Sequence, residues 1–197
     1  MNKLIVASNN QHKIKEIRAM LNKYNIEVFS LKDINLVIDV EETGSTFKEN
    51  AFIKARAIYD IIKLPVLSDD SGLEVKALNN EPGIYSARYA GAQHNDQDNL
   101  DKLLFNLKDV KDTSARYVCA MVLIIDINHY YQVEGYLEGR IVLNPCGQNG
   151  FGYDPVFYLD DYKKTVAQIS DEEKNKISHR YHALKQIEAI ISELGDE

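Results

Sequence analysis

Apolar and polar positions along the chain fall into short segments that alternate between a strand period and a helix period. Lys3 to Ser8 is an apolar run of strand length, and Ile14, Ile17, Leu21 and Tyr24 follow at helical spacing. The pattern predicts a strand and then a helix from about Gln11 to Tyr24, with Ser8, Asn9 and Asn10 as turn and N-cap between them. Ile26 to Ser30 reads as a second strand and Leu36 to Val40 as a short extended segment. Thr46 and Glu49 have capping-box spacing and open a helix to about Ile62, whose apolar face carries Phe47, Ala51, Ala55, Ile58 and Ile62. Leu64 to Leu67 reads as a buried strand that stops at Asp69-Asp70-Ser71-Gly72, followed by a short segment from Leu73 to Val75 and a turn at residues 79–83. Asn95 caps a helix to about Leu107, and Arg116 to Ile127 with Tyr130 to Val142 form an antiparallel hairpin turning at Asn128-His129. Beyond a glycine-rich loop at residues 144–155, Ser170 and Glu173 make another capping box. Tyr181, Leu184, Ile187, Ile191 and Leu194 line a last helix that stops at Gly195. Strand–helix units combined with a hairpin predict an α/β fold with a mixed sheet.

Composition narrows this picture. The 197 residues, nearly half of them apolar and none in a low-complexity region, suffice for one substantial core, a single domain over residues 1–197 with room for two lobes around a cleft. A net charge of −7 argues against nucleic acid or an anionic membrane as partner, and leaves a small anionic ligand to be held by local lysines or a metal. Cys119 in an apolar strand and Cys146 in a loop lack CxxC spacing, which fits reduced thiols and neither a disulfide framework nor a zinc site. Leu4 to Ala7 is too short an apolar run for a signal peptide or a membrane span, so a soluble, cytoplasmic protein is expected.

Candidate chemistry centres on Asp69 and Asp70. Adjacent carboxylates repel unless a cation or a proton lies between them, and magnesium prefers carboxylate and phosphate oxygens. At the end of a strand in an α/β sheet the pair points to metal-assisted phosphate chemistry; a solvated turn, with Asp69 and Ser71 capping their own backbone, would use the same residues. Glu41 and Glu42 are a second pair of candidate metal ligands, although acids before a helix also suit its dipole. Lys13 in a first helical turn opposes that dipole, which favours a phosphate contact there; Lys54 is either a second such contact or a solvated side chain. Phe151, between Gly150 and Gly152, either presents a ring for stacking on a base or bends into the core. Residues 84–91 either line a pocket or pack at a subunit surface, and His179 and Arg180, off the apolar stripe, face solvent or a cleft.

The segments Ala7-Ser8-Asn9-Asn10 with Lys13 and Glu16, Thr46-Phe47-Lys48-Glu49-Asn50-Ala51 with Lys54-Ala55, and Ser68-Asp69-Asp70-Ser71-Gly72-Leu73 occur in that order. Pro82-Gly83-Ile84-Tyr85-Ser86-Ala87-Arg88-Tyr89-Ala90-Gly91, Gly150-Phe151-Gly152-Tyr153-Asp154-Pro155 and Glu173-Lys174 with Ile177-Ser178-His179-Arg180 complete the set. Together, from end to end of the chain, they resemble the inosine triphosphate pyrophosphatase (RdgB/HAM1-like) family of non-standard purine nucleoside triphosphate pyrophosphatases. Ser8-Asn9 stands where a Thr-Gly or Thr-Asn pair is common, and His12 where Gly often sits. The resemblance implies a long mixed twisted β-sheet with flanking helices, two lobes around a central nucleotide-binding cleft, and a homodimer. It also implies magnesium-dependent hydrolysis of ITP, dITP or XTP to the monophosphate and pyrophosphate, which sanitises the nucleotide pool. That attack falls on the α-phosphorus rests on the resemblance alone.

The roles it implies follow residue by residue. Asp70 is the general base, with Asp69 keeping the proton affinity of the pair from falling too low. Glu42, with Glu41, and Asp70 hold Mg2+. Lys13, Lys54 and Lys174, with the amides of Ser8, Asn9, Asn10, Gln11 and His12, clamp phosphate, and Ser71 reaches the sugar-phosphate region. Phe151, Gly152, Tyr153 and Asp154 belong to a base-binding loop in which Phe151 stacks and Asp154 orients edge contacts. His179 and Arg180 donate to the 6-oxo group that hypoxanthine and xanthine carry, a contact that adenine, with a 6-amino donor, cannot match. A magnesium-dependent phosphatase releasing orthophosphate and a non-catalytic nucleotide sensor are the rival functions; acids at the point of attack speak against the sensor.

Overall fold

The computed structural model describes residues 1–8, 10–91 and 95–195, with the backbone alone at His12. β1 (Lys3–Val6) is a run of Leu, Ile and Val that pairs in parallel with β2 (Glu27–Ser30) on one side and β3 (Val66–Val75) on the other. Its side chains are buried on both faces, as a central parallel strand requires. α1 (Gln11–Leu21) connects β1 to β2 and ends in a 3₁₀ turn at Asn22–Tyr24, so the helix predicted to Tyr24 is α-helical only to Leu21. α2 (Phe47–Ile62) begins with the predicted capping box: Thr46 accepts from the Glu49 amide, and the Glu49 carboxylate accepts from the Thr46 amide. α3 (Asp96–Leu107) is capped by Asn95, whose side chain accepts from the amides of Gln97 and Asp98. β4 (Ser114–Ile124) and β5 (Tyr130–Ile141) are joined by a turn closed between Ile125 and His129, the predicted hairpin. β6 (Phe157–Leu159) and β7 (Lys164–Thr165) add antiparallel strands after β5, and α4 (Asp171–Ile177) and α5 (His179–Gly195) complete the chain. The sheet order is β2-β1-β3-β4-β5-β6-β7, parallel around β1 and antiparallel from β5 to β7: the mixed sheet the pattern predicts.

Two expectations are corrected. β3 does not stop at the acids; it runs through Asp69 and Asp70 to Val75. The turn-forming character of Asp-Asp-Ser-Gly is overridden because lysines neutralise the buried charge, and Leu73 and Val75 carry the strand into the core. Residues 36–40 are extended but join no strand; Leu36 and Ile38 pack inward while Val37 points to solvent.

Two compact units divide the chain: Met1–Asp70 with Cys119–Gly135 and His182–Glu197, and Ser71–Val118 with Tyr136–Tyr181. In the first, alternate residues of β1 and β4 serve opposite faces of the sheet. Leu4, Val6, Met121 and Leu123 pack with Ile14, Ile17, Leu184, Ile187 and Ile191 of α1 and α5, whereas Ile5, Val122 and Ile124 pack with Ala51, Ala55 and Ile58 of α2. In the second, Leu100, Leu103 and Leu107 of α3 pack on Leu73, Val75, Tyr117 and Phe157. Residues 83–88 form a 3₁₀ helix held by Ser86, whose hydroxyl accepts from the Leu73 amide at 2.8 Å, so this stretch braces the second unit. Cys119 is buried and Cys146 exposed, without a disulfide among the described residues. No described helix is long and apolar enough to cross a membrane.

Leu103, fully buried, sets the scale of the second core. Leu103→Ala is expected to lower the unfolding free energy by about 2–5 kcal/mol. Thr46→Ala, which removes one cap, is expected to lower it by about 1 kcal/mol. Urea unfolding followed by circular dichroism reads both, and equal losses for the two variants would contradict this ranking.

Candidate active site

In the first unit the site is built where α1 and α2 meet β3. Asn10 is the N-cap of α1: its side-chain oxygen accepts from the Lys13 amide at 3.3 Å, and its own amide donates to Ser8 Oγ at 3.0 Å. The cap directs Lys13 to β3, where its Nζ lies 2.6 Å from Asp69 Oδ2. Lys54, mid-way along α2, donates to Glu42 Oε1 at 2.5 Å and to the Asp69 carbonyl at 3.2 Å. Burial alone would lower the Lys54 pKa. The hydrogen bond and charge of Glu42, with the charges of Asp69 and Asp70, outweigh burial and hold it above the ordinary lysine value. Asp69, 6% exposed, therefore gathers both lysines, one through its carboxylate and one through its carbonyl, with Cys119 Sγ 4.0 Å away. Ser68 Oγ donates to the Ala51 carbonyl at 2.5 Å and pins this part of β3 to α2.

Lys13 meets the charge of Asp69, the acid expected to act beside Asp70. Asp70 is half-buried and its charge also reaches Lys54. Glu42 is turned to Lys54 while Glu41 is exposed, which separates the pair that the sequence left equivalent. Among the described residues no cluster of three or more His, Cys, Asp or Glu is placed to hold a metal unaided. Carboxylate oxygens of Glu42 and Asp70 nevertheless suit magnesium, which commonly takes one or two protein carboxylates and completes its shell with water and substrate phosphate.

In the second unit Asp154, 3% exposed, organises the glycine-rich loop. Its Oδ2 accepts from the Phe151 amide at 3.0 Å and from Lys174 Nζ at 2.5 Å, and its Oδ1 accepts from the Tyr117 hydroxyl at 3.1 Å. Gly150 has φ +75°, and a Cβ there would lie 2.0 Å from Asp154 Oδ2, so glycine is required for this approach. The loop turns Phe151 outward, 67% exposed, with the Lys174 ammonium 4.7 Å from its ring centroid; the bend into the core is excluded. Gly152 donates to Asp96 Oδ2 at 3.1 Å.

Tyr153 departs from its expected role. It is buried, and its hydroxyl donates to the Ser86 carbonyl at 2.8 Å, so its side chain anchors the loop and offers no surface for a base. With Phe151 facing out, the chain turns Tyr153 in. Lys174, expected among the phosphate clamps, pairs with Asp154 and lies beside the Phe151 ring. Ser178 caps α5 by accepting from the Tyr181 amide at 3.1 Å; beside it His179 is buried and Arg180 half-buried. Ser71 is half-buried on β3 directly after Asp70, and Gln11 is exposed in the first turn of α1. Asn9 and the His12 side chain lie outside the described residues. The sequence reading missed Tyr117, although a tyrosine in an apolar strand needs a partner for its hydroxyl. It also missed Asp96, because an acid in a first helical turn is already explained by the dipole.

The family model of the Ham1 family matches residues 4–190, and the chain belongs to that family. It is 49% identical over 190 residues to the dITP/XTP pyrophosphatase of Halalkalibacterium halodurans, covering 95% of this chain and 98% of that one. Among solved structures, the Staphylococcus aureus Ham1 protein superposes with a TM-score of 0.93 at 41% identity, covering 98% of this chain and 100% of that one. A nucleoside-triphosphatase / dITP/XTP pyrophosphatase from Mycobacterium abscessus superposes with a TM-score of 0.81 at 40% identity, covering 94% of this chain and 98% of that one.

The Lys13–Asp69 pair leaves an unmatched charge when either partner is removed alone. Asp69→Asn and Lys13→Gln are each expected to destabilise the fold, and the double variant is expected to lose about 1–3 kcal/mol less than the sum of the two. Urea unfolding of the three variants gives this coupling; strict additivity would show that the pair does not interact.

Proposed function

We propose that this chain is a nucleoside triphosphate pyrophosphohydrolase that converts ITP, dITP and XTP to the monophosphate and pyrophosphate with magnesium. The observation that carries the reading is the gathering of Lys13, Lys54, Glu42 and Asp69 around the point of β3 at which Asp70 follows. Two cations and a second acid set beside one carboxylate suit a substrate that brings its own negative charge and needs a water activated next to it. The names borne by the relatives support the same substrate class.

Glu42 and Asp70 would hold the magnesium, which when bound supplies charge neutralisation for the departing pyrophosphate. Asp70 accepts the proton of the attacking water. Lys13 and Lys54 exchange their carboxylate partners for phosphate oxygens, and the amides opening α1 add donors at the positive end of that helix. In the second unit Phe151 offers its ring face to the purine, and His179 and Arg180 donate to the 6-oxo group, against which the 6-amino group of adenine would set donor against donor. A net charge of −7 disfavours nucleic acid as a partner, and we infer a cytoplasmic homodimer working on free nucleotides.

Asp70→Asn is expected to lower turnover of ITP about 10³-fold while ITP still binds, as read by steady-state kinetics and calorimetry; unchanged turnover would remove Asp70 from its role. Arg180→Ala is expected to lower the ratio of kcat/KM for ITP over ATP by about tenfold or more. An unaltered ratio would contradict base readout by that residue. Orthophosphate is expected from ITP only when inorganic pyrophosphatase is added and magnesium is present; its appearance without the helper enzyme would identify a phosphatase instead.

A further inference from the structure

Tyr117 touches two of the second unit's candidate base-reading groups, Asp154 and His179. It lies on β4, buried, with its hydroxyl 3.1 Å from Asp154 Oδ1. Its ring stacks on Phe157 with centroids 4.5 Å apart and 29° between planes, and on His179 with centroids 5.0 Å apart and 18° between planes. Asp154 in turn accepts from the Phe151 amide and from Lys174. One side chain thus meets the carboxylate that sets the Phe151 loop and the imidazole at the start of α5.

We propose that Tyr117 is a positioning residue for purine selectivity, its ring acting as a plate that fixes the plane of the His179 imidazole and its hydroxyl fixing the rotation of Asp154. An imidazole donates a hydrogen bond within its ring plane, so holding that plane fixes the directions along which His179 can meet an oxo group. A carboxylate bonded at both oxygens cannot turn without breaking one bond. Burial, and then the charge of Asp154, keep the phenol far above its usual pKa and hence a constant donor. Parallel aromatic stacking is weak per pair but directional, and the stack survives loss of the hydroxyl. The ring is therefore the larger contributor and the hydroxyl the smaller. This inference rests on the reading that Phe151, His179 and Arg180 receive the base.

The test uses the full chain with Tyr117→Phe, Tyr117→Leu and Tyr117→Met, each checked by thermal melting and measured on ITP and ATP. For Tyr117→Leu the KM for ITP is expected to rise about tenfold, with the ITP-over-ATP ratio of kcat/KM falling by a similar factor and kcat staying within about twofold. Tyr117→Phe keeps the plate, so its ratio is expected to stay within about threefold of the parent. Tyr117→Met, which fills space without a ring, stands in for the leucine variant should that one not fold. The inference is overturned if the ringless variants keep the parent KM and ratio, if only their kcat falls, or if Tyr117→Phe loses the preference as fully as they do. Phe151→Ala and Arg180→Ala are run alongside. A ratio unmoved in both removes the underlying base reading, whereas a ratio moved in both but not in the ringless variants removes only the role of Tyr117.

Discussion

A carboxylate in the middle of a central strand is tolerable only with a cation beside it, and the ion pair between Asp69 and Lys13 is the constraint around which the first unit is arranged. It requires a lysine from the first turn of α1, although that turn's dipole disfavours one, and it requires α1 to begin at the Asn10 cap so that the side chain reaches β3. The same aspartate holds Lys54 through its carbonyl, and Lys54 holds Glu42. Two cations and three acids, counting Asp70, therefore stand in partial balance without any ligand. In the proposed reaction, phosphate oxygens would take the place of the carboxylates at the lysines, and Glu42 and Asp70 would be left to hold a divalent cation. Lysines gathered locally in this way would let a chain of net charge −7 receive a strongly anionic substrate.

The second unit, proposed to receive the purine, would meet a ligand part that offers little charge and differs between bases at its edge. Here one buried carboxylate does the organising. Asp154 holds a loop whose glycine permits the close approach, turns Phe151 outward, and retains Lys174 beside that ring. Donors on a fixed framework discriminate well, because a mismatched base leaves a desolvated donor facing another donor. His179 stacks on Tyr117 in the same unit.

How far this was readable from the chain depends on which force decided each feature. Caps at Thr46, Asn95 and Ser170 are local hydrogen-bonding devices, and their spacing announced them. The hairpin was legible for the same reason. The path of β3 was not: Asp-Asp-Ser-Gly carries turn propensity, and only the distant Lys13 and Lys54 make a strand there affordable. Phe151 and Tyr153 are both aromatic, two residues apart, and nothing local says which turns out; the Asp154 bonds and the Ser86 carbonyl decide it. The partners of Lys174, Asp154 and the Phe151 ring, were likewise not legible from its residue type. Residue types were legible; the partners that tertiary packing brings to them were not.

In the proposed reaction a water attacks the α-phosphorus of a purine triphosphate and pyrophosphate departs. Hydrolysis of ITP in ¹⁸O-labelled water, with the products resolved by mass spectrometry, tests it most directly. The account predicts the label in the phosphate of inosine monophosphate and none in pyrophosphate. Label in pyrophosphate, or in orthophosphate released directly, would place the attack on another phosphorus and contradict it.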